Sequence, residues 1–135
     1  MYSSASGAAD LMALRSFSSA ARFSLLKSAR YLSMVYGRAL CGAGDVAAYL
    51  ELTIEIRRAT LELDDIALQA GAVNLLVDAL CFAARFSEAL QTAEEGLARF
   101  PRSISPEGWV MGLNPYTVMS FWRGFSCSWM GRLPE

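Results

Sequence analysis

Apolar residues recur every three or four positions through most of this chain, a spacing that predicts α-helices. Runs of alternating β-branched residues, which indicate strands, are absent from the sequence. All four prolines lie beyond residue 100, so no proline interrupts the earlier helices. The predicted helices span residues 10–42, 46–63, 66–84, 87–100 and 115–130. The first is long enough to break near Ser18 and Ser19, and we therefore expect an all-α fold with about five or six helices.

Short turns with capping residues separate the predicted helices. Gly44 suits the left-handed end of one helix, and Asp45 suits the N-cap of the next. Asp64–Asp65 supplies another N-cap, and Asn114 stands before a proline that fits the first turn of a helix. Residues 101–114 form a longer connection than most helix pairs use, so we predict a loop there.

The sequence around three of these turns repeats. RALCGAGDVAAYL at residues 38–50 aligns with DALCFAARFSEAL at 78–90, and RGFSCSWMGRLPE at 123–135 follows at a further offset of about 47. Each copy combines a helix rich in small residues, a short turn and an apolar residue that opens the next helix. Because one helical hairpin cannot bury both of its faces, we expect repeated hairpins to stack on a shared core.

The composition fits one folded domain and offers little for catalysis. The chain has 135 residues, of which 54% are hydrophobic, so it is long enough for a core and too apolar for disorder. Its net charge of −1 argues against a general nucleic-acid-binding protein. It contains no histidine, the commonest general base and metal ligand, and we predict no catalytic residue and no cofactor. Cys41, Cys81 and Cys127 form no CxxC pair, and we expect buried, reduced thiols in the cytoplasm.

Two segments raise the question of a membrane. Residues 66–84 are long enough to cross a bilayer but include Asn74 and Asp78, so we expect a helix buried in protein and no membrane span. The first 40 residues carry five basic groups and one acidic group. We expect the basic side of this helix to face solvent. The alternatives are that it binds a membrane surface, an acidic partner or the acidic middle of a second copy.

The segment ARFSEALQTAEEGLARFP, residues 84–101, resembles the second half of a tetratricopeptide repeat. Ala89 and Gly96 stand at the small packing positions of that repeat, and Pro101 stands at its terminal proline. In the first helix of the hairpin, Gly37 and Gly124 match the small position. The resemblance implies an all-α fold of antiparallel hairpins stacked as a right-handed α-solenoid.

Other positions depart from the tetratricopeptide pattern. Tyr49 occupies a position where the family has a small residue, and Val77 replaces a glycine-like residue. The spacing between copies also exceeds the family's repeat of about 34 residues. We therefore expect a lengthened, tetratricopeptide-like array in a single domain, 1–135, with hairpins at about 11–63 and 64–101 and an incomplete hairpin at 115–135.

A second resemblance concerns the segment GLNPYTVMSFWRGFSCSWMGRLPE, residues 112–135. It is similar to part of the C-terminal helical regions of large bacterial signalling proteins, in which a class III adenylate/guanylate cyclase domain and a P-loop ATPase precede the repeats. The cyclase's metal-binding aspartates and a GxxxxGK[ST] loop are both absent from this sequence. The resemblance implies that any such enzymatic activity lies outside this chain, and we expect the chain to be a fragment of a larger protein.

The tetratricopeptide resemblance also implies a binding site, because the first helix of each hairpin lines a concave groove in that family. The residues it assigns to protein binding are Arg38, Asn74, Asp78, Phe82, Phe121, Phe125 and Trp129. The aromatic members also suit a buried core. Asp78 lies in an otherwise apolar helix, where a buried carboxylate needs a partner. We consider Arg38, one repeat earlier, as a structural partner, and a ligand contact as the alternative.

We therefore expect a non-enzymatic interaction or regulatory scaffold segment that binds a peptide or a partner domain in the groove. One alternative is an enzyme that uses Asp78, Glu88 or a cysteine. Another is a membrane-surface or self-association module that uses the basic N-terminal helix. The apolar last helix has no predicted pair, which also favours a homo-oligomer.

Overall fold

A computed structural model of the chain describes Ser24, Ser28 and residues 36–37, 39–106, 109 and 112–132. Four α-helices lie in this part of the chain: α1 (Val46–Leu61), α2 (Ile66–Phe82), α3 (Phe86–Arg99) and α4 (Pro115–Trp129). Residues 36–37 and 39–42 are also helical and precede α1, and no β-strand occurs among the described residues. The predicted all-α class is therefore confirmed. Most of the predicted basic first helix, including Arg38, lies outside the described residues.

Side chains cap the helices where the sequence predicted them. Asp45 accepts a hydrogen bond from the backbone N–H of Ala48 at the start of α1, over 3.1 Å. Asp65 does the same for Leu68 in α2, and the Asn114 side chain accepts from the second residue of α4. Each cap satisfies one of the backbone donors that a helix leaves without an internal partner, which fixes where these helices begin.

Three turns share one backbone geometry at the repeat spacing seen in the sequence. In each turn a residue with positive φ ends a helix: Gly44 (86°), Ala84 (57°) and Gly131 (70°). The next residue donates its N–H to the carbonyl five positions earlier: Asp45 to Leu40 (2.8 Å), Arg85 to Leu80 (2.9 Å) and Arg132 to Cys127 (2.8 Å). These are the bonds of a Schellman-type helix end. The internal repeat therefore corresponds to three equivalent helix ends in the fold.

The core is built around α2, which contacts α1, α3 and α4. Every residue from Leu68 to Cys81 is buried, so this helix has no solvent-facing side over four turns. α4 packs against both α3 and α2. The loop after α3 returns to the same core through the buried side chains of Phe100 and Ile104.

One close approach explains why Tyr49 fits at a position where a small residue was expected. A methyl group added at Gly37 would overlap the Tyr49 ring, so the glycine leaves room for a tyrosine that is fully buried. At the equivalent positions 40 residues later, Val77 and Ala89 are both fully buried. The side-chain sizes at these two positions are therefore exchanged between the two repeats. The first repeat has the small Gly37 and the large Tyr49, and the second has the larger Val77 and the small Ala89.

Ala84 is the only non-glycine residue with positive φ among the described residues, and this makes a test of the turn geometry. We expect Ala84→Gly to raise the free energy of unfolding by about 0.5–1 kcal/mol, because glycine adopts this conformation without the steric strain of a Cβ. Gly44→Ala and Gly131→Ala should each lower it by about 1 kcal/mol, since open space surrounds both sites and only the backbone is affected. Urea unfolding followed by circular dichroism measures all three. A lower stability for Ala84→Gly would contradict the assigned turn.

Candidate functional site

Six aromatic side chains gather where α4 passes the turn between α2 and α3. We call this surface the aromatic face, and its members are Phe82, Phe86, Phe121, Trp122, Phe125 and Trp129. Positions 121, 125 and 129 are four residues apart, so they lie along one side of α4. Phe82 ends α2 and Phe86 begins α3, and the tight turn between them brings both rings to the same helix.

The rings contact one another in a continuous chain. Phe82 meets Trp122 edge to face at 6.2 Å between centroids, and Trp122 is perpendicular to Phe125 at 5.2 Å. At the other end of the face, Phe86 stacks on Trp129 at 5.6 Å with an interplanar angle of 4°. Edge-to-face and offset-stacked pairs are the favourable arrangements for aromatic rings. Each ring is therefore held by its neighbours before any partner is present.

Half of this face is open to solvent. Phe121 is 61% exposed, Trp129 is 66% exposed and Phe82 is 40% exposed, while the other three rings are half-buried. A single exposed apolar residue is ordinary, whereas a contiguous group of large, partly exposed rings is a candidate interaction surface. The sequence-predicted residues Phe82, Phe121, Phe125 and Trp129 all belong to this face.

Two members of the aromatic face were not among the predicted binding residues. Phe86 aligns with the apolar residue that opens the partner helix in each repeat, which indicated packing inside the fold. Trp122 lies next to Phe121 on α4, and its contact with Phe82 depends on how α4 crosses α2. The sequence does show that aromatic residues are dense at 121–129. It does not show that they contact Phe82 and Phe86 at the turn between α2 and α3.

The predicted polar residues Asn74 and Asp78 lie elsewhere, inside the fold. Asp78 is only 5% exposed, and the Tyr49 hydroxyl donates a hydrogen bond of 2.7 Å to its Oδ2. This contact favours the structural pairing of Asp78 over a ligand contact, with a partner from α1. Arg38, the partner expected from the sequence, lies outside the described residues.

Asn74 precedes Asp78 by one turn of α2 and is 4% exposed. Its Oδ1 atom has no hydrogen-bond partner among the described residues. Buried side chains at this depth are closed to a partner protein as the structure stands. The predicted binding residues in the described part of the chain are therefore divided between an accessible aromatic face and two buried polar residues, Asn74 and Asp78.

The three cysteines are free thiols in different surroundings. Cys81 is buried against α4, where its Sγ lies 3.6 Å from Ser126 Oγ. Burial raises the pKa of the Cys81 thiol, the contact with Ser126 lowers that pKa, and the nearby Asp78 carboxylate raises it further. Because the thiolate is the reactive form, we expect Cys81 to react slowly in this environment. Cys41 and Cys127 are half-buried.

Charged side chains near the aromatic face are engaged in ion pairs. Arg85 donates from Nε to Glu88 Oε1 over 2.7 Å, and this hydrogen bond lowers the pKa of the exposed Glu88 carboxyl. Arg123 pairs with Glu94 over 3.3 Å and joins α4 to α3 on the surface. Exposed pairs of this kind contribute little to stability. Their effect here is to neutralise the arginines that flank the rings in sequence.

No group of three or more Cys, Asp or Glu side chains among the described residues is arranged to hold a metal ion. Within the described part of the chain, each helix is too short or too polar to cross a bilayer. Comparison with known proteins finds no matching protein-family model, curated protein or solved structure.

Removing the Tyr49 hydroxyl tests the hydrogen bond between Tyr49 and Asp78. We expect Tyr49→Phe to lower the free energy of unfolding by about 1–3 kcal/mol, because the Asp78 carboxylate is left buried with one donor fewer. Tyr116→Phe is the matched control, since Tyr116 is half-buried and its ring contacts Arg102. Chemical unfolding of both variants measures the difference. Equal effects of the two substitutions would show that the hydroxyl–carboxylate bond contributes nothing.

Thiol reactivity tests the environment of Cys81. At pH 8 we expect iodoacetamide to modify Cys81 at least about tenfold more slowly than Cys127, and at an equal rate in denaturant. Peptide mass spectrometry resolves the sites.

The pH dependence of stability tests the same environment. Because folding raises the pKa of the Cys81 thiol, the protonated thiol favours the folded state. This contribution to the free energy of unfolding is present below the ordinary thiol pKa of about 8.5 and is lost at more alkaline pH. Cys81→Ala should reduce that alkaline loss, and an unchanged pH profile would contradict the assignment.

Proposed function

We propose that this chain is a non-enzymatic helical-repeat segment that binds a protein partner through the aromatic face. The observation that carries the proposal is the exposure of Phe82, Phe121 and Trp129 within one contiguous cluster of rings. When a partner covers such rings and removes them from water, the complex is stabilised by about 25 cal/mol per Å² of apolar surface. Tryptophan and other aromatic residues are enriched among those that dominate protein–protein binding.

The arrangement of the rings favours a partner that brings a row of apolar side chains. Phe121, Phe125 and Trp129 form a ridge along two turns of α4, and Phe82 flanks it from α2. An amphipathic helix presents apolar residues at matching intervals of three and four positions. The contacts among the rings reduce their freedom before binding, so little side-chain entropy is lost when the partner docks.

The stacked-hairpin arrangement belongs to this proposal and is supported by internal geometry. The three Schellman-type ends recur at the repeat spacing, and the alternate helices α2 and α4 contact each other as stacked hairpins require. The size exchange between Gly37 with Tyr49 and Val77 with Ala89 is consistent with two versions of one packing unit. We propose a tetratricopeptide-like, right-handed order for these hairpins on that basis.

The biological setting of the proposal comes from the sequence. The segment at 112–135 resembles the helical regions of bacterial cyclase–ATPase signalling proteins, and we propose a regulatory role in signal transduction in the cytoplasm on that resemblance. A chain without histidine also lacks the commonest catalytic base, which supports a binding role rather than an enzymatic one. Within such a protein the partner is a peptide or a neighbouring domain.

A display library of amphipathic helical peptides tests the binding role. We expect peptides selected on the wild-type chain to bind at least about tenfold more weakly to the double variant Phe121→Ser/Trp129→Ser, measured by fluorescence anisotropy. The matched control is Ile54→Ser/Leu61→Ser, which removes two exposed apolar residues from α1 instead. Equal affinity for the wild type and the aromatic variant, or the absence of any selected peptide, would overturn the proposal.

A further inference from the structure

We infer that α4 carries a second binding surface, separate from the aromatic face, which takes one antiparallel α-helix from a partner polypeptide. We call this surface the Gly124 side, and it is formed by Ser120, Gly124 and Ser128, which are spaced four residues apart along α4. The partner helix places a large aromatic side chain over Gly124. The inference rests on how the two earlier hairpins of the same fold fill the equivalent positions.

The three Schellman-type helix ends define which positions are equivalent. Each end is closed by a hydrogen bond to a carbonyl of the helix that it terminates, and these carbonyls belong to Leu40, Leu80 and Cys127. The residues three positions before them are Gly37, Val77 and Gly124. Gly124 on α4 therefore corresponds to Gly37 in the first hairpin. One turn earlier, Ser120 corresponds to Val73 of α2.

In the first two hairpins, the helix that follows the turn covers these positions. The fully buried Tyr49 ring of α1 lies where a methyl group added at Gly37 would be. In the second hairpin, α3 brings Gly96 so close to Val73 that an added methyl group would lie 3.3 Å from the Val73 Cγ1 atom. The helix after each turn therefore packs on the same side of the helix before it.

The Gly124 side is uncovered in the described part of the chain. All three of its residues are exposed, and apart from α4 itself no described residue places an atom within 4 Å of a methyl group added at Gly124. The hydroxyls of Ser120 and Ser128 donate to the carbonyls of Tyr116 and Gly124, at 2.9 Å each. An apolar helix can therefore cover this side without leaving either hydroxyl donor unpaired.

The glycine at position 124 specifies a large residue on the partner helix. In the first hairpin Gly37 is matched with Tyr49, and in the second the larger Val77 is matched with the small Ala89. A small residue over Gly124 would leave a gap between the two helices, whereas a tyrosine or phenylalanine ring fills it. The partner is therefore an amphipathic helix with one such ring in its first turn, as Tyr49 is placed in α1.

A peptide copy of α1, residues 45–62, tests the inference on the full chain. A side-chain staple between the exposed positions 54 and 58 keeps the peptide helical, and fluorescence anisotropy measures its binding. We expect this peptide to bind the wild-type chain at least about tenfold more tightly than its Tyr49→Ala form does, because only the ring fills the space over Gly124. Gly124→Val in the chain should reverse that preference, since valine collides with the ring and suits the alanine.

The matched control is Gly42→Val, the same change at another exposed helical glycine with open space around it. It should leave both peptide affinities within about twofold of the wild type. Circular dichroism of both variants verifies that the helices are retained. Absence of binding to the wild-type chain, or a preference for the Tyr49 peptide that Gly124→Val does not change, would overturn the inference. Neither result bears on the aromatic face, which the peptide selection tests with its own variants.

Discussion

The rest of the fold depends on the burial of α2 on every side. From Leu68 to Cys81 every residue of this helix is buried, so the helix needs α1, α3 and α4 around it. Its polar residues must then find partners inside the protein. Asp78 receives the Tyr49 hydroxyl, and Gln69 joins the carbonyl of Leu63 to the side chain of Arg99. These hydrogen bonds set the rotation of α2 about its axis relative to α1 and α3. Apolar packing alone is less directional and specifies that rotation less well.

This constraint also determines where the aromatic face lies. α4 reaches the core through Met119 and Ser126, which are fully buried on the side that meets α2 and α3. The rings at 121, 125 and 129 are therefore turned toward the edge of the contact and remain partly open. The aromatic face therefore has two causes. The core buries the opposite side of α4, and the turn between α2 and α3 places Phe82 and Phe86 beside the rings of α4.

Local signals in the sequence predicted the local structure well. The predicted starts of α1, α2 and α4 are those observed, because Asp45, Asp65 and Asn114 cap them with side-chain hydrogen bonds. α3 begins at Phe86, one residue earlier than predicted. The turn before it uses Ala84 at positive φ, and no sequence rule assigns that conformation to alanine.

Contacts between distant residues were harder to predict. Tyr49 and Asp78 are 29 positions apart, and their bond depends on the space that Gly37 leaves for the ring. Residue type indicated that Asp78 needed a partner, but it did not identify which one. For the aromatic face, the tetratricopeptide resemblance assigned Phe82, Phe121, Phe125 and Trp129 to one groove. Their exposure depends on how α4 crosses α2, which the resemblance does not determine.

The exchange of sizes between the two repeats has a consequence for folding. In an array of similar hairpins, a helix that docks one unit out of place is a common error, because its neighbours offer nearly the same surface. Here a valine brought to the place of Gly37 would collide with the Tyr49 ring, and a glycine brought to the place of Val77 would leave a void in a fully buried position. A helix that docked at the wrong one of these two sites would therefore meet a steric mismatch, which disfavours a shifted order.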